Sequence, residues 1–345
     1  MRGPVGTPLP ASYLLYGLRA FSNLPIPGLV LTEGSSTVPV HIRLKNGSEF
    51  ASKFSASLSD IFYTSPNSNR NGDSNLRAGM LNDGAYYGFF YSDGPRFAID
   101  RQGREIWGDW PDGYTLEDVC TYLIGQVINF ALRLRGITSL HASSIGIGDR
   151  AIAVMGAPGA GKSTTAAAFA RLGYSILSDD VAVLDDQDST FLVQPGYPRV
   201  NLWPDSARAL FGPGEELPRI TPTWGKKYLS LDRGGYCFQP KPLPLSAVYL
   251  LDVREDAPEA SILEELTPTD AFLALVANTY LNYLLDADMR SHEFEMLGRV
   301  AKIVPVRRAC PARDPSKVFE LCNAIAADVK RLRIQEPANA MSGSL

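Results

Sequence analysis

The most constraining feature of the chain is an apolar stretch that leads directly into a glycine-rich loop and then an alanine-rich segment. The apolar stretch covers residues 151–155, the loop covers residues 156–163, and the alanine-rich segment continues to Leu172. The loop has the pattern G-x-x-x-x-G-K-S, in which glycines let backbone N–H groups turn towards phosphate oxygens. A strand, such a loop and a helix in this order predict an α/β domain that binds a nucleoside triphosphate.

The loop supplies the predicted nucleotide contacts. Lys162 is expected to reach the β- and γ-phosphates, and the hydroxyl of Ser163 is expected to bind magnesium. The predicted cofactors are therefore ATP and Mg²⁺. The residues predicted to bind them are Gly156, Ala157, Pro158, Gly159, Ala160, Gly161, Lys162, Ser163 and Thr164.

Length, charge and cysteine pattern narrow the class of protein. The chain has 345 residues, enough for one large or two modest domains, and its formal net charge of -4 argues against a protein that coats nucleic acid. The apolar region 12–31 is interrupted by Arg19, Pro25 and Pro27, so it is a poor membrane span. The cysteines form no CxxC pair, which is typical of reduced thiols. The sequence therefore predicts a cytoplasmic protein with no membrane and no nucleic acid among its partners.

Strand signals occupy the first third of the chain. Residues 38–44 alternate apolar with polar side chains, and residues 85–100 contain two further strand patterns around a Ser-Asp-Gly turn. Residues 65–75 are rich in Asn, Ser and Gly, which predicts a loop. No catalytic grouping occurs in this part, so we expect residues 1–114 to form an accessory β-rich domain.

Helical signals follow on both sides of the loop. Thr115 can cap a helix that Gly136 ends, and this segment is predicted to link the two halves of the chain. Thr269 begins another helical pattern, which continues to Leu284. The remaining predicted divisions are a linking helix over residues 115–136, a catalytic domain over residues 137–334 and a disordered tail over residues 335–345.

An acidic pair follows the helix of the loop and one further strand. Asp179 and Asp180 stand at the end of an apolar strand, where carboxylates can hold a metal-bound water or accept the proton of an attacking hydroxyl. A solvated turn would also contain such residues, but the position beside a phosphate loop favours a functional role. His141 is the histidine nearest to this apparatus in sequence, and alone it carries little weight.

The three segments 140–142, 156–163 and 177–180 together resemble the HPr serine kinase/phosphorylase family in residue type and in spacing. The resemblance is good over residues 141–184 and looser over the rest of the C-terminal half. It implies an α/β fold with a P-loop catalytic domain of the HPr kinase/PEP carboxykinase-like type, a mixed sheet, and a smaller β-rich domain before it. A finer resemblance, to HPr-kinase-like proteins encoded with lasso-peptide biosynthesis enzymes, lies in residues 196–205, 221–228 and 277–285.

The family resemblance also implies a role for each polar residue. By position, Asp179 corresponds to the general base for the acceptor hydroxyl, and Lys162 to the residue that holds the phosphates. His141 and Asp180 would support the base, and Asp180 would share the metal with Ser163. Which of the two carboxylates faces the acceptor stays open. Some of the lasso-peptide-associated proteins phosphorylate a serine at the C-terminus of a precursor peptide.

Two segments depart from the family pattern. Where HPr kinases have a glutamate that contributes to the site, this chain has Gln194, which cannot act as a carboxylate. The later Gly- and Arg-containing segment is not evident, and Arg199, or the pair Lys226 and Lys227, are candidates to contact phosphate or acceptor in its place. These departures weaken the reverse reaction and HPr as the acceptor more than they weaken kinase activity.

The favoured function is an ATP- and Mg²⁺-dependent serine kinase that acts on a peptide or protein, above all on a lasso-peptide precursor with a C-terminal serine. A kinase for a small metabolite would share every motif described. A regulator that binds nucleotide without transferring phosphate would share the loop, although the acidic pair argues against it. HPr kinases assemble as hexamers, so a homo-oligomer stays open, but the sequence shows no matching interface.

Overall fold

The structure is a computed structural model that describes residues 11–32, 39–45, 47–69, 72–252, 261–312 and 314–335. The chain divides into two compact units. The first comprises Met1–Thr138, Arg219–Gly225 and Tyr280–Glu293, and the second comprises Ser139–Pro218, Lys226–Thr279 and Phe294–Leu345. The sequence predicted that the first domain ends at residue 114, before a linking helix over residues 115–136. In the structure that segment belongs to the first unit, and so do Arg219–Gly225 and Tyr280–Glu293, which the sequence assigned to the catalytic domain.

An eight-stranded mixed sheet forms the first unit. Its strands are β1 (Ala11–Leu15), β2 (Leu18–Ser22), β3 (Val40–Leu44), β4 (Ser59–Thr64), β5 (Leu76–Leu81), β6 (Tyr86–Tyr91), β7 (Arg96–Asp100) and β8 (Glu105–Asp109). Their order is β1-β2-β3-β8-β7-β6-β5-β4, and β3 runs parallel to both β2 and β8. The alternation predicted over residues 38–44 is confirmed in β3, where buried and exposed residues alternate. Val38 and Asn46 lie outside the described residues.

The helix predicted over residues 115–136 begins as expected but is not continuous. Its parts are α2 (Leu116–Tyr122), a π-helical turn (Leu123–Val127) and α3 (Ile128–Arg133), after α1 (Ser48–Lys53) earlier in the chain. The Thr115 hydroxyl accepts the N–H of Asp118, whose carboxylate accepts the N–H of Thr115 in return, which caps the first turn. The side-chain amide of Asn129 donates to the carbonyls of Ile124 and Gly125 at 3.2 and 2.6 Å. Both carbonyls lie in the π-helical turn, and a side chain that bonds the carbonyls of a helix is a known cause of such an irregularity.

Both faces of the first sheet are packed by aromatic side chains. On one face Phe130 of α3 contacts Tyr87 and Phe89, with ring centroids 5.1 and 5.0 Å apart. On the other, Phe54 beside α1 contacts Tyr86 and Trp107 at 5.0 and 5.9 Å. Successive residues of β6 therefore point to opposite faces, as the pleat of a strand requires.

A second mixed sheet, of ten strands, forms the centre of the second unit. The strands that follow along the chain are β9 (Thr138–Leu140), β10 (Ala142–Ile147), β11 (Arg150–Gly156), β12 (Ser175–Ser178), β13 (Ala182–Asp186), β14 (Phe191–Gln194), β15 (Arg199–Leu202), β16 (Lys227–Ser230), β17 (Cys237–Phe238), β18 (Leu243–Leu251), β19 (Ile262–Glu265) and β20 (Val306–Cys310). In the sheet, eight of them follow the order β17-β12-β10-β11-β18-β14-β13-β9, and β20 pairs with both β18 and β19. The pair β15–β16 forms a separate antiparallel ribbon.

Helices cover both faces of this sheet. They are α4 (Lys162–Arg171), α5 (Pro204–Phe211), α6 (Pro268–Ala277), α7 (Ala287–Ile303) and α8 (Val318–Gln335). Alternate residues of β11 enter two separate cores: Ile152 and Val154 pack with residues of α4 and α8, whereas Ala153 and Met155 pack with residues of α6 and α7. The predicted α/β class with a mixed sheet is thus confirmed.

The helical pattern that begins at Thr269 is shorter than the sequence indicated. Helix α6 ends at Ala277, Asn278 caps it, and Leu281 adopts a left-handed backbone with φ 58°. A 3-10 turn, Asn282–Leu284, then follows. Apolar spacing alone did not reveal this interruption, because residues beyond it keep the helical period.

Three further sequence expectations can be compared with the fold. The four cysteines Cys120, Cys237, Cys310 and Cys322 are all free thiols. In the part of the chain that the structure describes, no helix combines the length and apolar character that crossing a membrane requires. The predicted tail lies, after Gln335, outside the described residues.

A buried ion pair joins helix α3 to the start of α7 within the first unit. Arg133 Nη1 donates to Glu293 Oε2 at 2.5 Å, and both side chains are more than nine-tenths buried. The second guanidinium nitrogen donates to the carbonyl of Tyr280 at 2.9 Å, and the Thr138 hydroxyl donates to Glu293 Oε2 at 3.0 Å. Removing one partner of such a pair leaves the other charge buried without compensation.

We therefore expect Glu293→Gln to lower the free energy of unfolding by about 3–5 kcal/mol, because the Arg133 guanidinium would lose its counter-charge in a desolvated position. The matched control is Glu295→Gln, an exposed carboxylate on the same helix, expected to change stability by less than about 0.5 kcal/mol. Urea denaturation followed by circular dichroism measures both. Equal stabilities of the two variants would contradict the prediction.

Candidate functional site

The glycine-rich loop connects β11 to α4, as the sequence predicts, and three of its glycines have a positive φ. The values are 150° for Gly156, 84° for Gly159 and 103° for Gly161. A Cβ at Gly156 would lie 2.8 Å from the carbonyl oxygen of Leu251 on the neighbouring strand β18. Glycine is thus required at the first position by the close approach of two strands, and at the other two by the turn itself.

Lys162 begins helix α4 and folds back over the loop. Its side chain is 7% exposed, and Nζ donates to the carbonyls of Gly156 and Ala157 at 2.8 and 3.3 Å. Burial lowers the pKa of the Lys162 ammonium, against the opposing effect of Asp180 and Asp179. The ammonium therefore lies over the concave side of the loop, within the field of both carboxylates.

Ser163 and Thr164 occupy the first turn of α4 and are partly exposed, whereas Thr165 is buried. The first N–H groups of a helix have no intrahelical acceptor, and the helix dipole gives this end a partial positive charge. Two accessible hydroxyls and these N–H groups can bind an anion and its counter-ion.

Asp179 follows β12 and is buried, with both carboxylate oxygens bonded. Oδ1 accepts the Ser143 hydroxyl of β10 at 2.7 Å, and Oδ2 accepts the N–H of Asn201 on β15 at 2.8 Å. Burial, and next the charge of Asp180, raise the pKa of the Asp179 carboxyl to about 6, against the lowering effect of these two hydrogen bonds. The site thus contains a carboxyl group whose proton affinity lies close to neutral pH.

Asp180 differs from its neighbour in backbone and exposure. It adopts a left-handed conformation with φ 65°, and its side chain is 35% exposed. Lys226 Nζ lies 3.7 Å from Asp180 Oδ2 and 5.6 Å from the centre of the Trp203 ring. The two consecutive carboxylates therefore have different environments, one inside the protein and the other at its surface beside a cation.

His141 lies between β9 and β10, and its backbone N–H donates to the backbone carbonyl of Asn278 at 2.7 Å. Burial and the charge of Lys162 lower the pKa of the imidazole, while Asp180 acts in the opposite direction. His141 is therefore neutral at pH 7. The electrostatic interaction with Lys162, Asp180 and Lys226 shows that the structure gathers these sequence-predicted residues into one cluster.

Asn278 is a residue of this cluster that the sequence analysis did not single out. Asn278 caps the end of α6 and makes three hydrogen bonds. Its side-chain Oδ1 accepts the N–H of Gly156 at 3.1 Å, and its Nδ2 donates to the carbonyl of Ala274 at 2.8 Å. Its backbone carbonyl accepts the backbone N–H of His141. One residue thus positions both the start of the glycine-rich loop and the backbone of His141. The signal available in the sequence was its place within the stretch 277–285.

Ser143 and Asn201, which hold Asp179, were also missed. Ser143 and Ser144 are two buried hydroxyl residues in a strand of otherwise small or apolar residues, and residue type does not reveal which of them bonds Asp179. Asn201 acts through its backbone, while its side chain donates to the hydroxyl of Tyr197 at 3.1 Å. Tyr197 is partly exposed, and the pKa of its phenol is raised first by the burial of that group and next by the charges of Asp180 and Asp179. A backbone contact of this kind leaves no trace in residue type.

The remaining sequence candidates lie on or next to the ribbon β15–β16. Arg199 stacks over the Tyr228 ring at 4.2 Å, and Lys227 pairs with Leu202 across the ribbon. The ion pair to Asp180 comes from Lys226. Gln194 lies on β14, where its amide donates to Asp185 at 3.0 Å. The described residues contain no group of three or more His, Cys, Asp or Glu side chains arranged to hold a metal.

Comparison with solved structures gives a distant likeness, whereas the other two comparisons give none. No family model matches the chain, and no curated protein matches it. Among solved structures, the HPr(Ser) kinase/phosphatase from Coxiella burnetii is similar at 14% identity and a TM-score of 0.31, over 57% of this chain and 90% of that one. At these values the likeness assigns neither an activity nor a substrate.

The close approach at Gly156 gives a direct test of the loop geometry. We expect Gly156→Ala to destabilise the protein by about 1–3 kcal/mol, because the new Cβ would meet the Leu251 carbonyl and φ is unfavourable for alanine. Gly214→Ala is the control, since a Cβ there meets nothing within 4 Å. Thermal unfolding of both variants measures the difference. A Gly156→Ala protein as stable as the control would mean that the loop does not approach β18 in this way.

Proposed function

We propose that this protein is an ATP- and Mg²⁺-dependent kinase that phosphorylates a serine hydroxyl of a peptide. The observation that carries the proposal is the proximity of a phosphate loop and a buried carboxyl group with a raised pKa. The loop contributes Lys162, and the carboxyl group is that of Asp179, whose electrostatic interaction reaches the lysine. A cation for the phosphates and a base for the acceptor are the two groups that phosphoryl transfer to a hydroxyl needs from the protein.

The residues present fit a magnesium-bound triphosphate. Gly159 and Gly161 have a positive φ, a backbone conformation found in turns whose successive N–H groups bind anions. The Ser163 hydroxyl and the Asp180 carboxylate are oxygen donors of the kind that magnesium prefers, with phosphate oxygens and water as its other ligands. ATP, when bound, supplies the phosphoryl group, and the protein supplies position and charge.

In this proposal each polar side chain has one task. Asp179 accepts the proton of the serine hydroxyl, since its two hydrogen bonds leave further lone pairs on the carboxylate. The Lys162 ammonium moves from the loop carbonyls to the phosphate oxygens. Neutral His141 orients its neighbours by hydrogen bonding, and adds no positive charge that would lower the proton affinity of Asp179.

The surface beside Asp180 supports a peptide as the acceptor. Trp203 is 64% exposed, and the ammonium of Lys226 lies beside its ring. An exposed aromatic ring with a cation can hold a peptide chain and its terminal carboxylate, which a C-terminal serine carries next to its hydroxyl. Residues 196–205 and 221–228, which include these two side chains, are two of the three stretches that resemble HPr-kinase-like proteins encoded with lasso-peptide biosynthesis enzymes.

The decisive experiment is incubation with ATP, magnesium and a panel of peptides that end in serine, read by mass spectrometry as a gain of one phosphate. We expect Lys162→Ala to abolish the transfer, and Asp179→Asn to abolish it while nucleotide binding is retained, because only the proton acceptor is lost. Asp188→Asn, an exposed turn residue with a left-handed backbone that suits Asn, is the control and should keep full activity.

A fully active Asp179→Asn protein would contradict the assignment of the base. Phosphorylation of small hydroxyl metabolites, without phosphorylation of any peptide, would contradict the assignment of a peptide as the acceptor. Nucleotide binding without transfer to either class would contradict the kinase itself.

The raised pKa of Asp179 predicts the pH dependence. The base acts when ionised, so kcat/KM should rise with pH through about 6 and level off above it. Ser143→Ala removes a hydrogen bond that favours the ionised form, so this rise should move to higher pH. The neighbouring Ser144→Ala, on the opposite face of the strand, should leave it in place. Steady-state rates between pH 5 and 8 measure the three profiles, and coincident profiles would contradict the role of Ser143.

A further inference from the structure

A cleft of about 590 Å³ lies wholly within the first unit. The proposed phosphoryl transfer does not use this cleft. This volume is within the range of about 300–1,000 Å³ that is usual for small-molecule and side-chain pockets. Tyrosines and polar residues line it, among them Tyr91, Tyr122, Tyr283, Asn67, Asn75 and Asp93.

Four tyrosines form the walls of the cleft and hold one another in place. The rings of Tyr91 and Tyr122 have centroids 4.2 Å apart, and those of Tyr63 and Tyr283 are 4.6 Å apart. Gln126 connects the two pairs, because it accepts the Tyr91 hydroxyl at 2.6 Å and donates to the Tyr283 oxygen at 3.0 Å. The aromatic faces are therefore fixed before any ligand arrives, which lowers the entropy lost on binding.

The charge on the described lining of the cleft is negative. Of the described residues that line it, Asp93 is the one that carries a charge. Asp93 is exposed and accepts the Tyr122 hydroxyl. Burial raises the pKa of the Tyr91 and Tyr122 phenols, and raises that of Tyr283 to about 12, so these three phenols stay neutral. Neutral aromatic faces next to a carboxylate attract a cation.

We infer that this cleft binds an extended peptide segment through a lysine or arginine side chain, which enters between the tyrosines and pairs with Asp93. The exposed amides of Asn67 and Asn75 at the rim both donate and accept, which suits the alternating N–H and C=O groups of a peptide backbone. That this peptide is also the phosphoryl acceptor rests on the proposed function. The binding itself does not.

Isothermal titration calorimetry of the full chain without nucleotide tests the inference. The probe is a short capped peptide with a central lysine, and the matched probe has norleucine, of similar shape but without charge. We expect the lysine peptide to bind about tenfold or more tightly than the norleucine peptide, and its affinity to fall with salt. Asp93→Asn should remove most of that difference. Asp83→Asn, the same change in an exposed turn with a left-handed backbone, should preserve it.

Lys162→Ala protein should bind the lysine peptide like the wild type, which separates this inference from the proposed kinase activity. Equal affinity for the two peptides would overturn the inference, as would no measurable binding by the wild-type chain. An unchanged preference for lysine in Asp93→Asn would overturn it as well. Binding of a neutral oligosaccharide in place of either peptide would assign the cleft to carbohydrate instead.

Discussion

A carboxyl group can be kept inside a protein only if the protein supplies the hydrogen bonds that water would otherwise give. Asp179 meets this condition through Ser143 on one strand and the backbone of Asn201 on another. The same two bonds that satisfy the carboxyl group also fasten β10 and β15 to the end of β12. The position of the acidic pair, and of the ribbon that carries the aromatic and cationic side chains, therefore depends on this one buried group.

The start of the glycine-rich loop is held in position by residues that lie outside the loop. Gly156 is limited by the Leu251 carbonyl on one side and is bonded to Asn278 on the other. Asn278 in turn receives the N–H of His141. Strand β18, the end of α6 and the segment before β10 thus set where the loop begins. A loop with the right glycines but without these neighbours would bind phosphate in a less defined geometry.

The sequence predicted those parts of the molecule that local chemistry determines. The strand, loop and helix around Lys162, the alternating strand β3 and the cap at Thr115 are each specified by residues a few positions apart. The supporting bonds of the site were beyond such reasoning, because Asp179 is 36 residues from Ser143 and Gly156 is 122 residues from Asn278. The sequence also did not predict the end of α6 at Ala277. Apolar residues continue the helical period beyond it, and the left-handed backbone of Leu281 is visible only in the structure.

Consecutive aspartates with unlike surroundings also tolerate mutation differently. The left-handed backbone at Asp180 accepts Asn or Gly readily, and its partly exposed ion pair contributes little to folding. Asp179, in the interior, tolerates only a side chain that can still bond both Ser143 and the N–H of Asn201, as an amide can. Drift at Asp180 would therefore remove a charge from the site while the fold survived. Under the proposed function, one nucleotide change at that codon would leave a well-folded descendant of this chain without one of its magnesium ligands.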